Sequence, residues 1–139
     1  MIEKPKVDDS RTAKAANPMV ATIGGWLSRE QGIEFEAYSA ELGLDMAALA
    51  TILIVRELNH DKLSGLIDSG TRPRSAKGKR VSARTKQVKL KERFSEHAAK
   101  HGLSPDSAAA MLFRAELTEK WLGRCLGFRG NQLDSQTQR

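Results

Sequence analysis

Apolar positions along this chain fall into two similar blocks separated by a polar stretch. In the first block Leu49, Ile52, Leu53 and Val55 recur at helical spacing, and in the second Ala108, Met111, Leu112 and Ala115 do the same. Each block predicts a helix with one face toward a core, the second running from Pro105 through Trp121 to Leu122. A shorter, more polar helical segment lies ahead of each, and Ser28 with Gln31 has the spacing of a capping box for the first. Gly43 and Gly102 separate the paired helices, where glycine supplies the left-handed residue that ends a helix. Leu44 and Leu103 then close over the apolar layer. Asp45 and Ser104 stand as N-caps, and Pro105 takes the first helical position, where its missing N–H costs nothing.

Before each helix pair the period changes from that of a helix to two. Val81, Ala83 and Thr85 alternate with Arg80, Ser82, Arg84 and Lys86, so a strand here turns its small apolar side chains one way and its polar and basic ones the other. Met19 to Ile23 reads as the matching strand, with Met19, Ala21 and Ile23 inward, Val20 and Thr22 outward, and Gly24-Gly25 as its break. A lone short strand leaves its backbone donors and acceptors unpaired. The two strands are therefore expected to pair with each other, strand 19–23 against strand 81–85, over a layer of helices.

The blocks are repeats. Shifting the chain by 59 positions lays residues 35–59 over 94–118 without a gap. The pairs Phe35/Phe94, Ala40/Ala99, Gly43/Gly102, Leu44/Leu103, Ala50/Ala109, Leu53/Leu112, Glu57/Glu116 and Leu58/Leu117 are identical. The organisation read from this is a flexible arm over 1–17, a first repeat over 18–67, a basic linker over 68–79, a second repeat over 80–126 and a flexible tail over 127–139. The fold class expected is mainly α with one short two-stranded antiparallel ribbon.

Composition adds a partner class. The 139 residues are 40% hydrophobic and 29% charged, ordinary for a globular chain, with a net charge of +6. The charge is uneven: residues 1–70 hold 7 Lys/Arg and 11 Asp/Glu, while residues 71–139 hold 16 and 6. From Arg72 to Arg93 ten basic residues meet one acid, Glu92, which points to a polyanion contacted by the second half. A solvated lysine-rich linker is the plainer reading of the same run. Cys125, the one cysteine, reads as a structural thiol, and the chain as a cytoplasmic protein without signal peptide or membrane span. His97 and His101 are four apart on a helix, a spacing able to bind a metal, but no cysteine or carboxylate pattern in the sequence completes a site. No metal, cofactor or enzymatic activity is expected, since no catalytic motif is present.

Strand, helix, glycine-bounded turn, helix, carried best by RVSARTKQVKLKERFSEHAAKHGLSPDSAAAMLFRAEL at 80–117, resembles the ribbon-helix-helix (Arc/MetJ-type) class of DNA-binding proteins. Most members are homodimers. Two units in one chain, acting as a monomeric pseudo-dimer, are similar to accessory proteins of conjugative DNA transfer. The resemblance implies a ribbon inserted in the DNA major groove. Ser82, Arg84, Thr22 and Val20 would then face bases, with Arg84 able to donate two hydrogen bonds to guanine. Arg80 and Lys86, near the strand ends, would meet phosphates, as would Arg72, Arg74, Lys77 and Lys79 of the linker. It also implies phosphate clamps at the second helices' N-termini, a role that suits Ser104 and that the Asp45 carboxylate opposes. The first repeat departs from the pattern, having no outward basic residue on its strand. Two roles stay open within this reading, a relaxosome-type factor in plasmid transfer and an autoregulating repressor. Double-stranded DNA is the expected partner in both, with a relaxase or another transfer protein as a further partner. A protein-interaction adaptor of antitoxin type is the alternative.

Overall fold

Two strands, β1 (Ala21–Leu27) and β2 (Lys79–Thr85), form one antiparallel ribbon in the computed structural model, which describes residues 20–74 and 76–127. The six helices among the described residues are α1 (Arg29–Glu41), α2 (Met46–His60), α3 (Lys62–Asp68), α4 (Val88–Lys100), α5 (Pro105–Glu119) and α6 (Trp121–Cys125). None of them is long and apolar enough to cross a membrane. The arm, Met19 and the tail beyond Gly127 lie outside the described residues.

The element lengths repeat. α1 and α4 have 13 residues each, α2 and α5 have 15 each, and both pairs start 59 positions apart. The two strands have 7 residues each and start 58 apart. The punctuation is local and legible. Gly43 and Gly102 adopt φ of 78° and 74°. Asp45 and Ser104 accept hydrogen bonds from the backbone N–H of Ala48 and Ser107 at 2.7 and 3.1 Å. Ser28 and Gln31 form the reciprocal capping box, each side chain accepting from the other's backbone N–H at 3.1 Å.

The first strand is longer than its sequence suggests. Gly24 and Gly25 do not break it; they sit inside it, paired with Ser82 and Val81. Each glycine has a steric reason. A Cβ at Gly25 would lie 2.6 Å from the Ala110 backbone nitrogen, so glycine lets α5 approach the strand closely. A Cβ at Gly24 would lie 2.7 Å from the Arg80 guanidinium, which rests across the ribbon at that point. The inward phase holds for Ala21 and Ile23, which are buried with Leu27 on the same face as Val81 and Ala83.

Beneath the ribbon the halves interlock. α5 packs under β1 and α2 under β2, so each strand rests on the second helix of the other half. The core joins Leu49, Leu53 and Ile54 of α2 to Met111, Leu112 and Phe113 of α5, with Phe35 and Phe94 from the first helices. Phe35 meets Phe113 with ring centroids 5.4 Å apart. Ile52 and Ala115 are half-buried, while Val55, read from the sequence as a core position, is 41% exposed. Its neighbour Ile54 is fully buried, because the buried face of α2 continues through Leu53, Ile54 and Glu57 rather than through Val55.

A second departure lies at the ends of these helices. α5 does not run to Leu122. It stops at Glu119, Lys120 turns into the left-handed region at φ 52°, and α6 leaves in a new direction. Asp61, with φ 49°, makes the same corner between α2 and α3. A buried glutamate holds each corner. Glu57 accepts from the backbone N–H of Lys62 and Leu63 at 2.8 and 3.1 Å, and Glu116 accepts from that of Leu122 at 2.8 Å. These carboxylates satisfy donors at a helix start that has no side-chain cap of its own.

Candidate nucleic-acid interface

With its lower face against the helices, the ribbon presents alternate residues outward. Thr22, Gly24 and Trp26 of β1 face out beside Arg84, Ser82 and Arg80 of β2, each directly paired across the ribbon. The register is centred on Gly24 and Ser82, positions 58 apart in the chain. One half-turn about that point therefore carries Thr22 to Arg80 and Trp26 to Arg84.

The predicted side chains gather unevenly. Thr22, Arg80 and Arg84 are exposed on this face and Ser82 is half-buried between them. Val20 precedes β1 and is exposed. Lys86 follows β2 and is also exposed. The Thr51 hydroxyl of α2 lies 3.3 Å from the Arg84 carbonyl, which ties the backbone beneath that side chain to the helix layer. Among the described residues no ion pair engages the Arg84 guanidinium. Arg80 is folded over Gly24 with Nη1 3.6 Å from an Asp106 carboxylate oxygen, a long and solvent-exposed pair.

The sequence reading overlooked Trp26. It lies on the outward face at 42% exposure and lines a shallow cleft with Pro73, Arg74, Ala76, Asp106 and Ser107. Continuing the alternation of β1 through the two glycines would have placed it there. Behind it Arg114 of α5 fastens the linker. Its Nη2 donates to the carbonyls of Trp26 and Arg74 at 3.0 and 3.4 Å, and its Nε donates to the Gln31 side chain at 3.2 Å. Burial, and then the charge of Arg74, lower the Arg114 pKa from its ordinary value.

Arg72, Arg74, Lys77 and Lys79 are exposed along the segment that leads into β2, and the Lys79 stem lies against Gly32 of α1. They form a basic flank beside the ribbon. The helix N-termini are less favourable to an anion. Asp45 caps α2 with its own carboxylate, and Asp106 adds one to the first turn of α5 beside Ser104.

At the opposite end of the helix pairs the two halves exchange hydrogen bonds. The Tyr38 hydroxyl donates to Glu116 Oε2 at 2.6 Å and accepts from the Gly123 N–H at 3.0 Å. Burial, and then the Glu116 carboxylate, push the Tyr38 pKa up, so the phenol stays a donor. Fifty-nine positions on, His97 Nε2 lies 2.6 Å from Glu57 Oε2. His101 Nε2 lies 2.9 Å from Asp61 Oδ1, and His97 Nε2 is 3.2 Å from the same atom. Burial alone would raise the Asp61 pKa, but hydrogen bonds from Ser64 and His101 and the charge of the two histidines hold it below its ordinary value. The carboxylate partners absent from the sequence pattern around these histidines thus arrive from α2 and its corner. Compared with protein-family models, with curated proteins and with solved structures, the chain matches none.

Proposed function

We propose that this protein binds double-stranded DNA by placing the β1–β2 ribbon in the major groove, as a single-chain ribbon-helix-helix protein whose two repeats act as a pseudo-dimer. The register of the ribbon carries the reading. Positions 58 apart pair with each other at its centre, the face it turns to solvent holds Thr22, Trp26, Arg80, Ser82 and Arg84, and its other face is covered by α2 and α5. A two-stranded ribbon of this kind has the width the major groove admits.

In this reading Arg84 donates to guanine O6 and N7, while Ser82 and Thr22 take the neighbouring base edges. Trp26 stands where the second half-site would meet the counterpart of Arg84, so that half-site is read by an apolar edge against thymine methyls or sugars. Val20 and Lys86 continue the contact at one end of the ribbon. Arg72, Arg74, Lys77 and Lys79 neutralise backbone phosphates on one flank. Arg80, held over Gly24, reaches a phosphate only by leaving Asp106, and Ser104 binds one only against the Asp106 carboxylate. The cellular role consistent with this chemistry is an accessory factor at a plasmid transfer origin, working with a relaxase, or a cytoplasmic repressor of its own operon.

Binding to duplex DNA should fall steeply with salt. Removing one phosphate contact, as in Lys77→Ala, should weaken binding to all sequences alike and flatten the slope of log K against log salt by about one unit. Titration of a labelled duplex at several salt concentrations measures both. A salt-independent affinity, or none, would favour the adaptor of antitoxin type.

A further inference from the structure

The two corners described above are built alike but not filled alike. In one, Tyr38 meets Glu116, and Lys120 lies over the Tyr38 ring with Nζ 4.6 Å from its centroid. In the other, the residues 59 positions away from Tyr38, Leu42 and Lys120 are respectively His97, His101 and Asp61. Tyr38 is matched by His97 as a partner for a buried glutamate. His101 and Asp61 have no such structural counterpart, since Leu42 is apolar and Lys120 carries the opposite charge.

This second corner gathers three donor atoms within 4.8 Å of one another, on His97, His101 and Asp61, with the Glu57 carboxylate beside His97. His97 Nε2 in the last turn of α4 and His101 Nε2 at its C-cap both face Asp61 Oδ1, at 3.2 and 2.9 Å. Glu57 Oε2, from a fully buried side chain, stands 2.6 Å from His97 Nε2. The ring nitrogen of His97 carries at most one hydrogen, yet it faces two carboxylates. A divalent cation placed between them would engage both histidine nitrogens and the Asp61 oxygen at once.

We propose that His97, His101 and Asp61 form a binding site for a late first-row divalent cation, zinc above all. Two imidazole nitrogens and one carboxylate oxygen, with water in the fourth position, are a donor set zinc accepts in tetrahedral geometry. Tetrahedral donors about 2.1 Å from such an ion lie about 3.4 Å apart, so the Asp61 distances need little change, while Glu57 keeps the Lys62 and Leu63 N–H groups. The histidines belong to the second half of the chain and the carboxylates to the first. Bound zinc therefore clamps the α2–α3 corner to α4, below the helices that carry the ribbon. Among the described residues only one such cluster exists, because the other corner offers Tyr38, Leu42 and Lys120.

Zinc titrated into the full chain against a chromophoric chelator, after dialysis to remove metal, reads the stoichiometry and affinity. The expected result is one zinc per chain, a raised melting temperature, and no competition from millimolar magnesium. His101→Ala and Asp61→Asn should each weaken binding by about tenfold or more, while His60→Ala should not. His101 is the half-buried C-cap of α4 and asparagine tolerates the left-handed backbone of position 61, so circular dichroism of both variants should match that of the parent. Zinc binding that either variant leaves unchanged, or more than one zinc per chain lost on His60→Ala, would overturn the proposal and leave the cluster as a hydrogen-bonded interlock.

Discussion

Gly25 shows how one side chain sets the spacing between ribbon and helix. Its α-carbon sits over the backbone of Ala110, and Ala83 occupies the equivalent position of β2, 58 residues on. Gly25→Ala should cost about 1–3 kcal/mol, because the added methyl meets main chain that moves only with α5. Gly24→Ala should cost less, since it displaces only the flexible end of Arg80. Urea unfolding of the two variants compares them; equal losses would mean that the strand and α5 are not in close contact. The same glycines explain a misreading of the sequence. As a dipeptide they look like a strand break, because glycine's punctuating role is visible in sequence and its close-packing role depends on a helix 85 positions away. Trp26 was hidden with them.

Among the elements, the four long helices were legible because their caps and turns are local. Gly43, Asp45, Gly102, Ser104 and Pro105 each act within one turn of themselves. α3 and α6 were not legible. At 7 and 5 residues they are too short for a periodic signal, and Asp61 and Lys120 adopt left-handed backbone without being glycine. The signal that existed was the identity Glu57/Glu116, two acids on the apolar face of core helices, each buried because it caps the helix that follows. Val55 was misplaced for a related reason, as helical spacing alone does not say where the buried arc ends. Leu53 lies at the centre of that arc and is fully buried. Leu53→Ala should therefore cost about 2–5 kcal/mol in equilibrium unfolding, and a loss below about 0.5 kcal/mol would contradict the helix phase described here.

At the scale of the whole molecule, each strand rests on the second helix of the other half, and each buried glutamate is bonded by the other half's first helix. Neither half covers its own strand. A fragment of residues 1–70 should accordingly be unfolded or self-associate, which circular dichroism and sedimentation would register; a folded monomeric fragment would contradict the interlocked arrangement. The pairing of one strand from each half was predictable, since a lone strand has no other way to satisfy its backbone. The path by which Arg114 holds the linker, and the meeting of Asp61 with His97 and His101, were not. They join residues about 40 positions apart whose proximity comes from packing and not from spacing.

The central claim is that the outward face of the ribbon reads base sequence, and Arg84 tests it most directly. The measurement is selection of duplexes from a random pool by the full chain and by Arg84→Ala, followed by titration of the winning site and a random duplex. An asymmetric site is predicted, with a guanine preference in one half that Arg84→Ala relaxes at a single position, and a loss of about 1–3 kcal/mol confined to the selected site. Equal loss on selected and random DNA, or no selection by the parent chain, would contradict the assignment of the ribbon as the reading surface.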